Sequence, residues 1–297
     1  MIAARPGEGA AGRARTGISL GRRVRHRTAV VLVWLSVAIV LLPLAHMFAM
    51  VTSHAVRALS PKLFTTSTAG VAGGLENAIV GTIQLVVLAT VAAVTLGVLG
   101  GIWVREFASP RAAFPVRLAA DVLAGVPSIV IGYFGYVTMV TWLGWGFSLL
   151  AGALALAVIM LPYVLRATDL AIGRVSEELR DASTALGATQ AATLRRVILR
   201  SALSGIVTGA LLAVGIALGE TAPLLYTAGW SNYWGLLPSF THNPVGYLTY
   251  VVWTFINQPF AEAHALAYAA AFLLMILVLL LNVVVRRVIV RHTEEAR

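Results

Sequence analysis

Long runs without a formal charge divide the chain into six candidate membrane helices. The runs extend over 29, 28, 44, 19 and 21 residues and cover Thr28–Val56, Asn77–Val104, Val122–Leu165, Ser201–Gly219 and Ala265–Val285. An α-helix needs about 20 apolar residues to cross a bilayer, so the longest run supplies two crossings. Glycines at 144 and 146 mark a hairpin between those two. The pattern therefore predicts an all-α integral membrane protein with spans near 28–50, 78–104, 120–142, 148–166, 201–220 and 265–286.

The basic residues between these runs predict how the chain is oriented. If the N-terminus is cytoplasmic, the inside segments 1–27, 105–117, 166–200 and 286–297 hold 20 of the 22 Lys and Arg residues. The outside segments hold only Arg57 and Lys62. Since cytoplasmic loops carry the excess of Lys and Arg, both termini are predicted to be cytoplasmic. Residues 1–27 are expected to form a disordered basic tail, and residues 287–297 a second cytoplasmic tail.

Composition agrees with a membrane protein and narrows the chemistry. Hydrophobic residues make up 59% of the chain and charged residues 11%, and the mean hydropathy is +0.87. Soluble domains are roughly 45–50% apolar and about 25% charged. The net charge of +10 arises from the cytoplasmic blocks, so it does not indicate nucleic acid. The chain has no cysteine, and its histidines lack metal-binding spacing, so no metal site is expected. The glycines around residue 100 lack the G-K-[ST] of a nucleotide-binding loop, so an enzyme is not expected either.

The cytoplasmic segment 167–200 is more regular than a simple connection. Apolar residues recur at helical spacing from Leu179 to Leu186, and Gly187 stands where a left-handed cap would end that helix. A short helix of this kind can dock into another protein. The alternative is an amphipathic loop that lies on the lipid headgroups.

Several strings resemble the permease subunits of ABC importers. Asp181-Ala-Ser-(x3)-Gly187 resembles the EAA loop, whose helix sits in a groove of the ATPase subunit. More specific to phosphate permeases of the PstA type are Asp121-Val-Leu-Ala-Gly-Val-Pro-Ser-Ile-Val130 and Gly219-Glu-Thr-Ala-Pro-Leu224. Asn77-Ala-(x2)-Gly-Thr82 and Leu161-Pro162 agree with them. The resemblance covers residues 75–286 and implies a type I ABC importer fold, with ATPase coupling assigned to Asp181, Ala182, Ser183, Leu186 and Gly187.

The resemblance also implies the partners and the location. It implies a homologous second permease (PstC-type), two ATP-binding subunits (PstB-type) that hold ATP and magnesium, an extracytoplasmic phosphate-binding protein (PstS-type) and lipid of the bacterial inner membrane. The chain itself is expected to bind no cofactor. Three positions depart from the pattern of these relatives: Ile216 replaces a frequent arginine, and Arg200 and Ser204 replace usual prolines.

No Lys or Arg lies inside any predicted span, which limits how this chain alone could hold an anion. An anion in a low-dielectric pathway needs cationic or N–H donors, so the partner permease is predicted to supply most of the positive charge. Glu220 is the candidate ionisable residue. It pairs with a partner arginine, accepts a proton-bearing oxygen of HPO4²⁻, or is a solvated glutamate at a helix end. The other candidate pathway residues are Asn77, Gln84, Ser128 and Thr221.

Small residues recur every fourth position in the fifth span, at Gly205, Gly209 and Ala213. Such spacing allows close helix contact, either with the partner permease or within this subunit. The outer segment from Pro223 to Ala263 is rich in aromatic residues and fits an interfacial belt, with a re-entrant lip as the alternative. Two other functions stay open: a permease for another oxyanion such as sulfate or molybdate, and an ion-driven carrier or scaffold without an ATPase.

Overall fold

The computed structural model describes residues 20–233 and 240–294, and it divides into the units Met1–Met50 and Val51–Arg297. The first unit ends within helix α1 (Leu20–Ala58), whose 39 residues contain the predicted span 28–50. The helix begins before that span, since residues 20–27 of the expected tail are already helical. The remainder of that tail lies outside the described residues.

The second unit contains the other helices and one short hairpin. They are α2 (Pro61–Thr65), β1 (Thr68–Ala69), β2 (Ala72–Gly73), α3 (Glu76–Ile102), α4 (Pro110–Gly125), α5 (Ser128–Gly135), α6 (Leu149–Gly173), α7 (Glu177–Ala185), α8 (Gln190–Thr193), α9 (Leu199–Gly219), α10 (Ala222–Thr227), α11 (Leu248–Phe255) and α12 (Ala261–Glu294). The antiparallel strands β1 and β2 pair Thr68 with Gly73. Three π-helical segments extend α3, extend α5 and precede α9, at Trp103–Phe107, Tyr136–Trp142 and Leu194–Ile198.

Five of the six predicted spans correspond to single long helices, and the third corresponds to a bent pair. Among the described residues, five helices are long and apolar enough to cross a membrane, and α4 with the α5 segment forms a sixth if the bent pair is one span. The two pieces of that pair meet at 100°, so the predicted span 120–142 is not straight. Pro127 explains the break, because proline disfavours the helical conformation of the residue before it.

Helix boundaries follow local sequence at several points. The hydroxyls of Ser109, Ser148 and Thr189 accept hydrogen bonds from backbone N–H groups three residues later, which caps α4, α6 and α8. The fourth predicted span, 148–166, continues to Gly173, and the fifth, 201–220, belongs to helix that already starts at Gln190. Helix α12 contains the predicted span 265–286 and continues to Glu294, so the described part of the second tail is helical.

Helices α3, α6 and α9 form the centre of the second unit. Their contact surface is built from small residues. A Cβ atom built on Gly97 would lie 2.7 Å from Cβ of Val164, and one on Gly205 would lie 2.7 Å from Cβ of Ala171. At Gly209 an added Cβ would overlap the methyl group of Ala167. These glycines let the backbones approach closely, as small residues do in membrane helix packing.

The outer segment after α9 contains two short helices, α10 and α11, and no further long span among its described residues. The indole of Trp230 stacks on Tyr250 with ring centroids 4.4 Å apart. The backbone at Gly246 lies directly against Gly81 of α3, so α11 begins in contact with the α3 helix.

Candidate functional site

The two strings that resemble phosphate permeases lie side by side in the structure. Gly132 of α5 faces Pro223 of α10, where an added Cβ would lie 2.5 Å from Cα of the proline. Gly135 faces Thr227 in the same way, with Cγ2 of the threonine 2.8 Å from an added Cβ. Because residue numbers rise together in both contacts, α5 and α10 run parallel. Their N-terminal ends therefore lie at the same end of the pair.

Three of the sequence-predicted pathway residues lie at that end. Ser128 is the first residue of α5, and Glu220 and Thr221 form the break between α9 and α10. All three side chains are half-buried. At such helix starts, backbone N–H groups have no partner within the helix, and the aligned peptide dipoles favour negative charge. The structure thus assembles hydroxyl and N–H donors with one carboxylate.

The depth of this cluster follows from the contacts of α5 with α6. Gly135 lies next to Ala155, and Ile131 and Leu161 line one apolar cavity of about 280 Å³. Helix α5 is therefore antiparallel to α6. Leu156 of α6 lines the same small cavity as Glu220, so Glu220 lies beside α6 rather than beyond its end. The cluster lies within the helix bundle.

The backbone of Glu220 accepts a hydrogen bond from α11, and the residue adjoins a small cavity. Its carbonyl oxygen accepts a hydrogen bond of 2.9 Å from the hydroxyl of Thr249. The residue lines a cavity of about 10 Å³ together with Thr82 and Tyr247. A cavity of this size holds about one water molecule. The phenol of Tyr247 is buried, and its hydroxyl has no hydrogen-bond partner among the described residues.

Asn77 does not fit the role predicted for it as a donor to the anion. Its side chain is fully buried. Its Oδ1 accepts hydrogen bonds from the backbone N–H of Thr68 at 3.0 Å and from the Thr68 hydroxyl at 2.9 Å, while Nδ2 donates to the carbonyl oxygen of Ser231 at 2.9 Å. The amide is committed to holding the β1–β2 hairpin and the outer segment against α3. Gln84, half-buried two turns further along α3, remains a candidate.

The predicted coupling residues lie on and directly after α7. Gly187 has a φ of +79°, so the left-handed helix end is confirmed, and its N–H donates to the carbonyl oxygen of Thr184 at 2.9 Å. The buried hydroxyl of Ser183 shares a hydrogen bond of 2.9 Å with Thr193. Asp181 and Ala182 are exposed, and Leu186 has 89% of its surface exposed. Helix α7 thus turns its predicted apolar face away from its own chain.

In the described part of the chain, three charged pairs join elements near the ends of the spans that lead to and from the segment 167–200. Arg117 of α4 binds Asp169 of α6 through two hydrogen bonds of 2.8 and 2.9 Å. Arg166 of α6 binds Asp121 of α4 at 2.8 and 2.7 Å. Sequence reasoning missed both. The available signal was an Arg and an Asp at helical spacing on each side of one long uncharged run.

The third pair joins the loop to a membrane span. Arg180 of α7 binds Glu106, in the π-helical turn after α3, through two hydrogen bonds of 2.9 Å. The hydrogen bonds and charge of that carboxylate raise the pKa of the Arg180 guanidinium above its ordinary value. The guanidinium is therefore charged at every physiological pH. Sequence reasoning missed this pair as well.

The small residues of α9 pack inside the subunit. Gly205 and Gly209 face Ala171 and Ala167 of α6, and Ala213 is fully buried in the central core. Of the two alternatives left open by the sequence, internal packing accounts for all three positions. The surface against a partner permease, if it includes α9, uses other residues.

The comparisons with known proteins agree with this architecture. Residues 93–293 match the family model described as a binding-protein-dependent transport system inner membrane component. The phosphate transport system permease protein PstA 2 of Mycobacterium tuberculosis is 46% identical over 244 residues, which cover 82% of this chain and 81% of that protein. PstA of Xylella fastidiosa is 38% identical over 221 residues, covering 74% of this chain and 76% of that protein. The probable ABC transporter permease YqgI of Bacillus subtilis is 32% identical over 281 residues, covering 90% and 96%.

A solved structure has the same fold. A chain from inward-facing conformations of the MetNI methionine ABC transporter aligns with a TM-score of 0.57 and 19% identity. The alignment covers 73% of this chain and 95% of that chain. At this identity the likeness shows the fold, which is that of an ABC importer permease.

Proposed function

The chain belongs to the family of binding-protein-dependent transport system inner membrane components, and from that premise we propose that it is the permease subunit of an ATP-driven importer of inorganic phosphate. It is a non-catalytic subunit, and a partner hydrolyses ATP. The phosphate assignment is supported by relatives that are named for phosphate transport and match most of this chain.

The observation that carries the proposal is the parallel pairing of α5 with α10. It puts Ser128, Glu220 and Thr221 at one end of two broken helices, with Glu220 on a small cavity that Leu156 of α6 also lines. Transporters commonly bind substrates where interrupted helices meet near the bilayer midplane, with N-terminal ends directed at anionic groups. In this proposal the hydroxyls and N–H groups line half of the pathway. The homologous permease (PstC-type) lines the other half and supplies the positive charge.

Glu220 has one of two roles in this pathway. It holds an arginine of the partner permease by charge, or it accepts a hydrogen bond from the protonated oxygen of HPO4²⁻. The second role discriminates against sulfate, because fully ionised sulfate has no proton to donate. Both roles are weakened when an amide replaces the carboxylate, because an amide has no charge to hold an arginine and accepts a weaker hydrogen bond. Both roles also give the carboxylate the polar neighbours that an ionisable group inside a membrane needs.

In this proposal, the energy of ATP hydrolysis is transmitted to this subunit through α7. Two ATP-binding subunits of the PstB type hold ATP and magnesium, and the exposed face around Asp181, Ala182 and Leu186 docks one of them. A PstS-type binding protein delivers phosphate from outside. The chain itself holds no cofactor. Both termini are cytoplasmic in the bacterial inner membrane, as the distribution of Lys and Arg predicts.

Phosphate uptake by cells that carry Glu220→Gln tests the pathway. The matched control is Glu262→Gln, which neutralises an exposed glutamate in the first turn of α12. We expect uptake to fall at least about tenfold in the first variant, which is the factor for one lost charged hydrogen bond. The control is expected to transport as the wild type does. Unchanged uptake in Glu220→Gln would sink both roles of this carboxylate.

Two further readouts separate the other functions. Sulfate or molybdate that competes with labelled phosphate better than phosphate itself would move the assignment to another oxyanion. A wild-type complex, purified in mild detergent, in which no ATPase accompanies the folded chain would favour an ion-driven carrier or a scaffold. The phosphate importer requires both a copurifying ATPase and preferential competition by phosphate.

A further inference from the structure

Helix α7 is tied to the membrane spans by a charged pair that the proposed pathway does not use. Nη1 of Arg180 lies 2.9 Å from Oε2 of Glu106, and Nη2 lies 2.9 Å from Oε1. The residues are 74 positions apart in the chain, and their side chains are only 20% and 11% exposed. Two parallel charged hydrogen bonds fix both the distance and the direction between the elements, which one flexible contact does not.

On the membrane side, Glu106 belongs to a firmly seated span. It lies in the π-helical turn Trp103–Phe107 that continues α3. An added Cβ on Gly101, one turn before it, would lie 2.5 Å from Cβ of Thr168 in α6. Helices in such close contact cannot slide independently, because protein interiors are packed as densely as crystals. A force on Glu106 therefore acts on α3 and α6 together.

On the loop side, α7 has two different faces. Arg180 and Ser183, three residues apart, point inward and bind Glu106 and Thr193. Leu179 and Leu186 are 48% and 89% exposed on the outward side. Ser183 binds only within the loop, whereas Arg180 binds the end of a membrane span. Nη2 of Arg180 also reaches the carbonyl oxygen of Ile172, near the end of α6, at 3.4 Å.

We propose that the Glu106–Arg180 pair is the link that carries a displacement of α7 into the α3 span. The inference rests on the proposed function, in which an ATPase moves α7. Both are positioning residues, because neither belongs to the proposed substrate pathway and neither lies on the outward face of α7. Without the pair, α7 still binds the ATPase through its exposed side, but less of its movement is passed on to α3, because only the short connection to α6 remains.

Charge reversal in the intact transporter tests this link. The variants are Glu106→Arg, Arg180→Glu and the two together, and the control is Glu262→Arg, which reverses an exposed charge on α12, outside both α3 and α7. Each complex is purified through a tag on this chain and reconstituted in liposomes with phosphate-loaded binding protein. Two quantities are measured: the amount of ATPase that copurifies, and the phosphate transported per ATP hydrolysed.

We expect both single variants to retain the ATPase and to lose at least about tenfold in phosphate transported per ATP, because both charged hydrogen bonds are lost and like charges then face each other. The double variant restores the pair with opposite polarity and should recover most of that ratio. The control should match the wild type. Single variants with the wild-type ratio, or a double variant as impaired as the singles, would overturn the link. A wild-type preparation without ATPase would instead overturn the proposed function, and the link with it.

A second pair of variants covers the case in which charge reversal prevents folding. The chain has no cysteine, so Glu106→Cys with Arg180→Cys can be joined selectively by a short bifunctional maleimide. Before cross-linking, the ion pair is absent, so we expect the phosphate transported per ATP to be as low as in the charge-reversal variants. After cross-linking, a covalent tether replaces the pair, so we expect that ratio to recover. A cross-linked complex that retains the ATPase and stays uncoupled would refute the inference.

Discussion

Gly209→Ala should destabilise the chain, although alanine is the better helix former. The methyl group it introduces would overlap that of Ala167 in α6. Alanine in place of glycine in a helix interior gains about 1 kcal/mol, whereas overpacking a close contact costs roughly 1–3 kcal/mol. The contact dominates because backbone atoms of α6 lie directly behind the methyl group and cannot rotate away. We expect a net loss of about 1–2 kcal/mol in the free energy of unfolding.

Two other glycines of α9 supply matched controls. At Gly205 an added Cβ would lie 2.7 Å from Cβ of Ala171, so the same substitution there should cost less. At Gly215 the nearest atom to an added Cβ is Cδ2 of Leu281 at 4.0 Å, an ordinary contact. Gly215→Ala should therefore keep the helix-propensity gain of up to about 1 kcal/mol. Among the three alanine variants, we predict that Gly215→Ala is the most stable, Gly205→Ala is intermediate and Gly209→Ala is the least stable.

The assay is thermal unfolding of the purified chain in detergent, where 1 kcal/mol corresponds to about 2–4 °C in Tm. Adding Ala167→Gly to Gly209→Ala moves the methyl group from one helix to the other and should restore most of the stability. Equal Tm values for the 209 and 215 variants would refute the reasoning. So would a 209 variant that keeps its Tm but loses a copurifying permease, because that result would place Gly209 in an interface between subunits.

Four further substitutions test other contacts. Asp169→Asn neutralises the buried carboxylate that binds Arg117 and should lower the free energy of unfolding by about 2–4 kcal/mol. The loss should appear as faster hydrogen exchange in α4. Asp121→Asn neutralises an exposed carboxylate and should lower the free energy of unfolding by less than about 1 kcal/mol. Gly187→Val places a branched side chain at a φ of +79° with open space around it, so copurification of an ATPase should fall with little change in Tm. Asn77→Ala removes three hydrogen bonds, so limited proteolysis should cut the β1–β2 hairpin faster, while an unchanged KM for phosphate would confirm that the amide does not touch the anion.

The spans could be predicted from the sequence because a bilayer makes charge expensive along the whole length of a helix. A run such as Val122–Leu165 can therefore be recognised as membrane-spanning from its own composition, without knowledge of what it packs against. Only part of the bend in that region could be predicted from the sequence. Pro127 predicts a break, but the 100° angle between the pieces depends on what each piece packs against. Gly187 was predictable for a local reason, since a left-handed residue at a helix end favours glycine.

The links between distant elements could not be predicted in this way. Glu106 and Arg180 each sit in a stretch with other charges, and nothing local distinguishes the pair that forms from those that do not. Asn77 gave a misleading signal for a related reason. A polar residue at the start of a span has the composition of a substrate ligand, but its Oδ1 and Nδ2 are committed to partners 9 and 154 positions away in the chain. Polar side chains in a membrane protein are needed for both purposes, and only the tertiary contacts decide between them.

Two kinds of contact hold the second unit together, and they respond differently to force. The α3–α6–α9 core is interlocked through glycines, and separating these helices would open voids that cost dispersion energy at once. Helices α4 and α7 are attached through Arg–carboxylate pairs, which can be removed without opening a void in the core. Substitutions in the first class should therefore change Tm before they change transport. Substitutions in the second class should change transport or the exchange rates of α4, and at an exposed carboxylate such as Asp121 the Tm should move less.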